Sequence, residues 1–148
     1  QLAYKLRQDS RVIAMERTDI RQAQLPEKVD IAVIDVSFIS LTKILPDVSK
    51  LLNPGAPIIA MAKPQFEADK PTADRFKGVI RDQEVRQQIL GQLEGQISEH
   101  YAIIASADSA VTGAHGNIER FYRLVEPPGI EPGTLKMGGP VPDQPDPS

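Results

Sequence analysis

The stretch Ile31–Ser40, with the sequence IAVIDVSFIS, decides the fold because it carries four apolar residues straight into the acidic Asp35. Short apolar runs rich in β-branched residues are typical of strands that are buried on both faces, as in a parallel sheet. Ligands of open α/β sheets bind at the carboxyl ends of the strands, and an ionised carboxylate there is costly unless it has a partner. Asp35 is therefore the first candidate site residue, and a helix-capping or turn role is the alternative.

Apolar runs and helical periodicities alternate along the rest of the chain. Ser40 can cap a helix whose apolar residues share one face, and Pro57–Ala62 is the next buried strand, which ends at Lys63. The other predicted elements are a helix end at Gln1–Gln8, strands at Arg11–Met15, Tyr101–Ala107 and Ile118–Val125, a long loop at Gln65–Arg81 and a helix at Asp82–Glu99. This order predicts an α/β fold with a mostly parallel sheet. A turn alone joins the last two strands, which predicts that they run antiparallel to each other.

The composition limits the classes of function. The 148 residues are enough for one domain with a real core, and shares of 41% hydrophobic and 25% charged residues are typical of a soluble globular protein. Without cysteine there is no disulfide and no thiolate metal site, and the two histidines lack ligand spacing, so no bound metal is expected. The net charge of −3 argues mildly against a free-standing nucleic-acid binder. With no membrane-length apolar run and no signal peptide in view, we expect a cytoplasmic location.

The composition changes beyond Glu126. Residues 127–148 hold seven of the 13 prolines and four of the 10 glycines, and they keep no periodic apolar pattern. Such a segment cannot bury a core. We therefore expect a folded part at residues 1–126 and a disordered tail at residues 127–148.

Three charged residues stand out at or inside the predicted strands, namely Asp35, Lys63 and Glu119. Charged side chains in otherwise buried strands need partners. A lysine between two carboxylates meets that need as a structural ion network, and the same arrangement suits a catalytic site. From these residues alone, both interpretations stay open.

Several long motifs, in a fixed order, resemble those of one protein family. The motifs are LAYKLR at Leu2–Arg7, MERT at Met15–Thr18, IDVSFISL at Ile34–Leu41, KPQFEA at Lys63–Ala68, and Thr112–Gly113 followed by GNIE at Gly116–Glu119. They are similar to those of the TlyA, or hemolysin-A-type, proteins, which are FtsJ-like 2′-O-methyltransferases of ribosomal RNA that use S-adenosylmethionine. The resemblance implies a partial Rossmann-like, S-adenosylmethionine-dependent methyltransferase fold whose N-terminal strands are missing.

The resemblance also implies a catalytic tetrad of lysine, aspartate, lysine and glutamate. Asp35 matches its aspartate, Lys63 its second lysine and Glu119 its glutamate. The second lysine is the expected base for the ribose 2′-hydroxyl, and the carboxylates hold this lysine and the substrate in place. Carboxylates on both sides favour the charged lysine, whereas a base must be neutral, so a second cation is needed nearby. The resemblance places that cation, the first lysine, upstream of Gln1.

Of the family's cofactor site, only the adenine side has counterparts in this sequence. Asp19 matches a position that contacts the adenine amino group, Ile20 would lie against the ring, and Asp35 borders the same site. The family's glycine-rich turn and acidic ribose-binding residue are not found, so we expect weak binding of S-adenosylmethionine or none. An ordinary loop role is the alternative for Asp19. The family's small basic RNA-binding domain is also expected upstream, which explains the acidic balance of this chain.

Two further features bear on an RNA substrate. The predicted loop at Gln65–Arg81 carries four basic and three acidic residues, so it can contact phosphates or be a solvated loop of mixed charge. Phe38, close to Asp35, can pack near a substrate base or lie in the core.

Four functions follow from these observations. The leading one is the C-terminal part of a methyltransferase domain that acts on ribosomal RNA or a ribosomal subunit. The second is a non-catalytic remnant that binds RNA or a partner. A membrane-lysing protein is disfavoured because no strongly basic amphipathic helix is present. A nicotinamide-dependent oxidoreductase is disfavoured because no G-x-G-x-x-G motif occurs.

Overall fold

The central sheet has four strands in the computed structural model, which describes residues 2–128. The strands are β1 (Ala32–Ile34), β2 (Ile58–Ala62), β3 (Ala102–Asp108) and β4 (Arg120–Val125), in the order β1-β2-β4-β3. Strands β1 and β2 run parallel, and β4 runs antiparallel to both of its neighbours. Strands β1, β2 and β3 therefore share one direction. The predicted α/β fold, mostly parallel with an antiparallel last strand, is confirmed.

The helices of the described residues connect or flank these strands. They are α1 (Tyr4–Arg7), α2 (Leu41–Lys50), α3 (Pro64–Glu67), α4 (Lys70–Phe76) and α5 (Gln83–Ser98), with short 3-10 helices at Ile20–Gln22 and Ala114–Gly116. Polar caps fix where the two longest helices begin. The Ser40 hydroxyl accepts a hydrogen bond from the backbone N–H of Thr42 at 3.3 Å, and the Asp82 carboxylate accepts from Glu84 and Val85. The helices predicted after Ser40 and Asp82 are thus confirmed.

The hydrophobic core lies between one face of the sheet and helices α2 and α5. The buried side chains are Ile34, Ile58, Ala60, Ala62, Tyr122 and Leu124 from the sheet, and Leu41, Ile44, Leu45, Val48, Leu90, Leu93 and Ile97 from the helices. The spacing of apolar residues in α2 turns them all toward the sheet, as predicted. A buried hydrogen bond of 2.7 Å between the hydroxyls of Ser49 and Tyr101 adds a polar link to this core.

The opposite face of the sheet is largely open within residues 2–128. Side chains alternate along a strand, so Val33, Ile59 and Phe121 lie on the face away from the helices. Val33 is 76% exposed and Phe121 is 40% exposed. Strand β1 is also an edge strand, because the order of the described sheet begins with it.

The predicted strand at Arg11–Met15 is wrong, because this segment has no regular structure. A strand needs a neighbour for its backbone N–H and C=O groups. No strand of the described residues lies beside this segment, and Ile13 is 69% exposed. The apolar pattern is that of a strand, but the pairing that would form one is not found in the described part of the chain.

The prediction of a long loop at Gln65–Arg81 is also wrong, because α3 and α4 lie there. Pro64 and Pro71 each stand in the first turn of a helix, where proline is well tolerated. The carboxylate of Asp69 caps α4 by accepting a hydrogen bond from Thr72 N at 2.9 Å. The prolines therefore mark helix starts.

Other predictions at the two ends of the chain have mixed outcomes. The helix expected at Gln1–Gln8 is shorter and spans Tyr4–Arg7. The tail expected at residues 127–148 lies outside the described residues except for Pro127 and Pro128, so it stays a prediction. Within residues 2–128, we find no helix that combines the length and the apolar character needed to cross a membrane.

Candidate active site

Asp35 and Lys63 meet at one end of the sheet. Asp35 follows β1 and Lys63 follows β2, and because these neighbouring strands are parallel, their carboxyl ends lie side by side. Lys63 Nζ lies 2.8 Å from Asp35 Oδ1 and donates a hydrogen bond to Ser37 Oγ at 3.2 Å. The Lys63 side chain is 13% exposed, whereas that of Asp35 is 62% exposed. The pair thus has a shielded amine and a carboxylate that solvent or a ligand can reach.

Glu119 lies at the same end of the sheet but not in the ion pair. It directly precedes β4 rather than lying inside it, and the first residue of β4, Arg120, pairs with Ala62, the neighbour of Lys63. Its carboxylate packs against Gly113, where an added Cβ would be only 2.6 Å from Glu119 Oε1. Among the described residues, the ion pair of Lys63 is with Asp35. The structure therefore brings Asp35 and Lys63 into contact and leaves Glu119 outside the pair, at the same end of the sheet.

Asn117 fixes the backbone just before Glu119. Asn117 is 2% exposed, and its Oδ1 accepts a hydrogen bond from Ile80 N at 2.9 Å. Its Nδ2 donates to the carbonyl oxygen of Gly78 at 3.0 Å. Asn117 therefore ties the chain after α4 to the turn that carries Glu119.

Arg86 of α5 supports the same turn from inside the protein. Its side chain is 4% exposed, donates to the carbonyl oxygen of Ile118 at 3.2 Å and contacts Asp108 Oδ1 at 2.6 Å. Arg120 joins the same carboxylate at 2.9 Å. The hydrogen bonds from Arg86, and then those from Arg120, lower the pKa of Asp108. The residue before Glu119 is thus held by a charged network.

Glu67 holds the loop that follows Asp35. Its carboxylate accepts hydrogen bonds from Leu41 N at 2.9 Å and from the Ser40 hydroxyl at 2.6 Å, so it caps α2 together with Ser40. Burial raises the pKa of Glu67, and these hydrogen bonds oppose the rise. The loop between Asp35 and α2 is therefore anchored to the helix that follows Lys63.

Phe38 is exposed rather than part of the core. It is 88% exposed and has a φ of +63°, a left-handed conformation that is uncommon for a residue other than glycine. Its ring lies 4.7 Å from that of Phe66, measured between centroids. The core alternative for Phe38 is therefore wrong, and an aromatic pair stands next to Asp35 and Lys63.

Asp19 and Ile20 lie on the edge-strand side of the molecule. Asp19 Oδ1 accepts from Arg21 N at 2.9 Å, and the hydrogen bonds from the Arg21 side chain and backbone lower the pKa of Asp19 to about 2. Ile20, Val33 and Asp35 line a groove of about 310 Å³ along β1, whose walls are otherwise apolar. Ile20 and Asp35 thus share one groove, while Asp19 is engaged in local capping.

Sequence reasoning missed the two residues that support Glu119. Arg86 lies at helical spacing from Leu90, Leu93 and Ile97, which places it on the buried face of α5. A lone arginine on an apolar stripe is the signal that could have revealed its burial and its need for a partner. Asn117 is part of the GNIE motif, but its partners in the chain after α4 follow from the fold alone.

The fold and this site define a class of protein. A mostly parallel α/β sheet with charged groups at the carboxyl ends of neighbouring strands is the arrangement of Rossmann-like enzymes. The chain belongs to the FtsJ-like methyltransferase family, whose profile matches residues 1–125.

Several known proteins are similar to this chain. YqxC of Bacillus subtilis, named for rRNA methylation, is 43% identical over 132 residues, which cover 84% of this chain and 46% of YqxC. TlyA of Mycobacterium tuberculosis, named as a 16S/23S rRNA (cytidine-2′-O)-methyltransferase, is 35% identical over 84% of this chain and 47% of its own. A solved structure from Streptococcus thermophilus, named as a hemolysin, superposes with a TM-score of 0.78 at 35% identity, covering 85% of this chain and 47% of that one. The resemblance to TlyA and hemolysin-A-type proteins is confirmed, and the chain spans about half the length of these relatives.

Proposed function

We propose that the protein is part of an enzyme that methylates ribose 2′-hydroxyls of ribosomal RNA with S-adenosylmethionine. The observation that carries this proposal is the 2.8 Å contact between Lys63 Nζ and Asp35 Oδ1 at the ends of two parallel strands in an FtsJ-like chain. Relatives named as rRNA (cytidine-2′-O)-methyltransferases support ribosomal RNA, or a ribosomal subunit, as the partner. The proposed place of action is the cytoplasm.

Lys63 is the proposed base. Its shielded amine is held by Asp35 and Ser37. The contact with Asp35 favours the charged amine, so the base also requires the second cation that the tetrad's first lysine would supply in the completed protein. With that cation in place, neutral Nζ takes the proton of the ribose hydroxyl as the ribose oxygen becomes the nucleophile. The exposed oxygen of Asp35 orients the hydroxyl, and Glu119 completes the polar wall. S-adenosylmethionine would supply the electrophilic methyl group at this place.

The groove beside β1 fits part of that cofactor. Its apolar walls, which include Ile20 and Val33, suit an adenine ring. Asp19, next to Ile20, is paired with Arg21 and would have to exchange this partner to meet the adenine amino group. Asp35 is the one charged residue among the described residues that line the groove. No second carboxylate is in place there for the ribose hydroxyls, so we propose that this chain alone binds the cofactor weakly and is inactive.

The test is the Lys63→Ala variant in a protein completed by the half of the B. subtilis relative that this chain does not span. We expect the rate of methyl transfer to ribosomal RNA to fall roughly 100- to 10,000-fold, because a positioned base is lost, while cofactor binding stays nearly unchanged. Lys50→Ala is the matched control, since Lys50 pairs with Asp47 at 3.1 Å on the outside of α2.

The outcomes of this experiment separate the two roles of Lys63. A folded, inactive variant that binds cofactor supports the base. A variant that unfolds supports a structural ion network, and a folded variant with near-normal methyl transfer removes Lys63 from the mechanism.

A non-catalytic protein that binds RNA or a partner is the second candidate, and the sparse polar lining of the groove favours it. This function predicts that the completed protein with intact Lys63 binds ribosomal RNA but transfers no methyl group.

A further inference from the structure

We propose that residues 68–81 form a surface that binds RNA phosphates, which we call the basic arch, and whose basic residues are Lys70, Arg75, Lys77 and Arg81. The inference rests on the proposed function. An RNA strand whose ribose reaches Lys63 must lay its neighbouring phosphates across the adjoining protein surface. The sequence leaves phosphate contacts and a solvated loop of mixed charge as alternatives for this segment, and the structure has helix α4 there rather than an irregular loop.

Both ends of the basic arch are anchored next to the candidate site. Its start follows α3, which begins directly after Lys63 and is tied to α2 through Glu67. Near its end, Ile80 is 4% exposed and donates its N–H to Asn117, which lies two residues before Glu119. Helix α4 between them is only about 10 Å long at 1.5 Å per residue. The arch therefore begins a few residues after Lys63, and its end is hydrogen-bonded to the turn that carries Glu119.

Acidic and basic side chains of this region point to different partners. Within the arch, the carboxylate of Asp69 accepts a hydrogen bond from a backbone N–H group, whereas Asp74 is exposed and forms no ion pair within residues 2–128. The flanking carboxylates of Glu67 and Asp82 also accept from backbone N–H groups. All four basic residues of the arch are exposed, and within residues 2–128 none of them forms an ion pair. Among the described residues, the lysines and arginines that do form ion pairs lie elsewhere, and they are Arg7, Arg11, Arg21, Lys50, Lys63, Arg86 and Arg120.

The charge of the basic arch runs against that of the whole chain. Residues 68–81 contain four basic and two acidic residues, whereas the chain has a net charge of −3. The guanidinium of Arg75 lies 5.3 Å from the centre of the Phe76 ring, which keeps it at the surface of α4. Free cations grouped beside a site in an otherwise acidic protein match a polyanion, and phosphates supply most contacts in nucleic-acid complexes.

The test compares two variants of the full chain that each lose four exposed basic residues. In the arch variant, Lys70, Arg75, Lys77 and Arg81 are all changed to Gln. In the control variant, Arg17, Lys28, Lys43 and Arg123 are changed to Gln, since these residues are also exposed and form no ion pair within the described residues. Binding of a fluorescein-labelled single-stranded oligoribonucleotide is followed by fluorescence anisotropy over a series of KCl concentrations.

We expect the arch variant to lose roughly tenfold or more in affinity at low salt, and its slope of log K against log salt to become shallower by about 0.7 for each lost phosphate contact. The control variant should lose less RNA affinity at low salt than the arch variant, and its slope of log K against log salt should change less. Equal losses in both variants would overturn the proposal, because net charge would then explain binding. Absence of RNA binding by the unaltered chain would also overturn it.

Polyglutamate of similar length serves as a second probe. Polyglutamate could bind the unaltered chain as tightly as the oligoribonucleotide does, and lose as much affinity in the arch variant. This result would contradict an RNA-binding surface and indicate an acidic protein partner. RNA binding is measured without methyl transfer, so its result is independent of Lys63. In the completed protein, the arch variant should raise KM for RNA and leave kcat nearly unchanged, whereas failure of the proposed function would abolish methyl transfer in every version.

Discussion

The two faces of the sheet carry similar apolar side chains but have different surroundings. Ile34 and Tyr122 on one face are 6% and 1% exposed, because α2 and α5 cover them. Val33 and Phe121, their neighbours on the other face, are 76% and 40% exposed. Strands that are apolar on both faces are typical of sheets with helices on both sides. The exposed apolar side chains of the open face favour a second covering layer, and residues 2–128 place none there.

The same division runs through the candidate site. Lys63 and Glu119 belong to the well-covered part, where Glu67, Arg86 and Asn117 fix the backbone through buried or half-buried hydrogen bonds. The groove along β1 lies at the free edge of the sheet. We therefore expect stability to be concentrated around Lys63 and Glu119, and to be lower along the groove beside β1.

The largest effect should come from truncating the covered face. Leu45 is 1% exposed and packs in the core, so Leu45→Ala should lower the free energy of unfolding by roughly 2–5 kcal/mol through lost burial and a cavity. Urea denaturation measures this change. A loss below about 1 kcal/mol would show that the core under α2 is loosely packed.

The anchor before Glu119 should have the next largest effect. Asn117→Ala removes the hydrogen bonds with Ile80 N and Gly78 O in a buried place, so we expect a loss of roughly 1–3 kcal/mol. Asn53→Ala is the control, because Asn53 is half-buried and bonds to Asp30 near the surface. Thermal unfolding compares them, and equal losses would contradict the anchoring role of Asn117.

The sequence predicted the covered part of the molecule well because its signals are local. The apolar periodicity of α2, the caps Ser40 and Asp82 and the apolar run of β2 each act within a few residues. The strand predicted at Arg11–Met15 failed because strand formation depends on a distant partner. Buried contacts such as Arg86 with Asp108 join residues far apart in sequence, so their pairing could not be read from spacing.

The Asp108 network should show itself in the pH dependence of stability. Hydrogen bonds from Arg86 and Arg120 lower the pKa of Asp108 from its ordinary value of 3.8. Asp108 therefore contributes to the free energy of unfolding at pH values above 3.8, and this contribution is lost as the pH falls through the lowered pKa. The stability advantage of the unaltered chain over Asp108→Asn should therefore shrink on acidification, as measured by urea denaturation at several pH values.

Glu67 provides the opposite case for the same measurement. Burial raises the pKa of Glu67. Its contribution to the free energy of unfolding is therefore greatest at low pH and is lost as the pH rises through the raised pKa. The difference in the free energy of unfolding between the unaltered chain and Glu67→Gln should therefore change with pH in the direction opposite to that found for Asp108→Asn. The same direction of change for both carboxylates would contradict the assigned causes.

The smallest effect should come from the open face. Val33 is 76% exposed, so Val33→Thr should change the free energy of unfolding by less than about 0.5 kcal/mol. The same change in the completed protein should cost more, because a second layer would then cover Val33. Urea denaturation of both forms checks this, and a large loss in the chain alone would mean that the face is covered in solution.

The most direct test of the account is a calorimetric titration with S-adenosylmethionine, carried out on this chain and on the protein completed by the remaining half of the B. subtilis relative. The described groove offers an apolar wall and one carboxylate, Asp35, so the account predicts weak binding or none by the chain alone. It predicts saturable binding by the completed protein. Tight, saturable binding by the chain alone would contradict the account, because it would show that a complete cofactor site exists within these 148 residues.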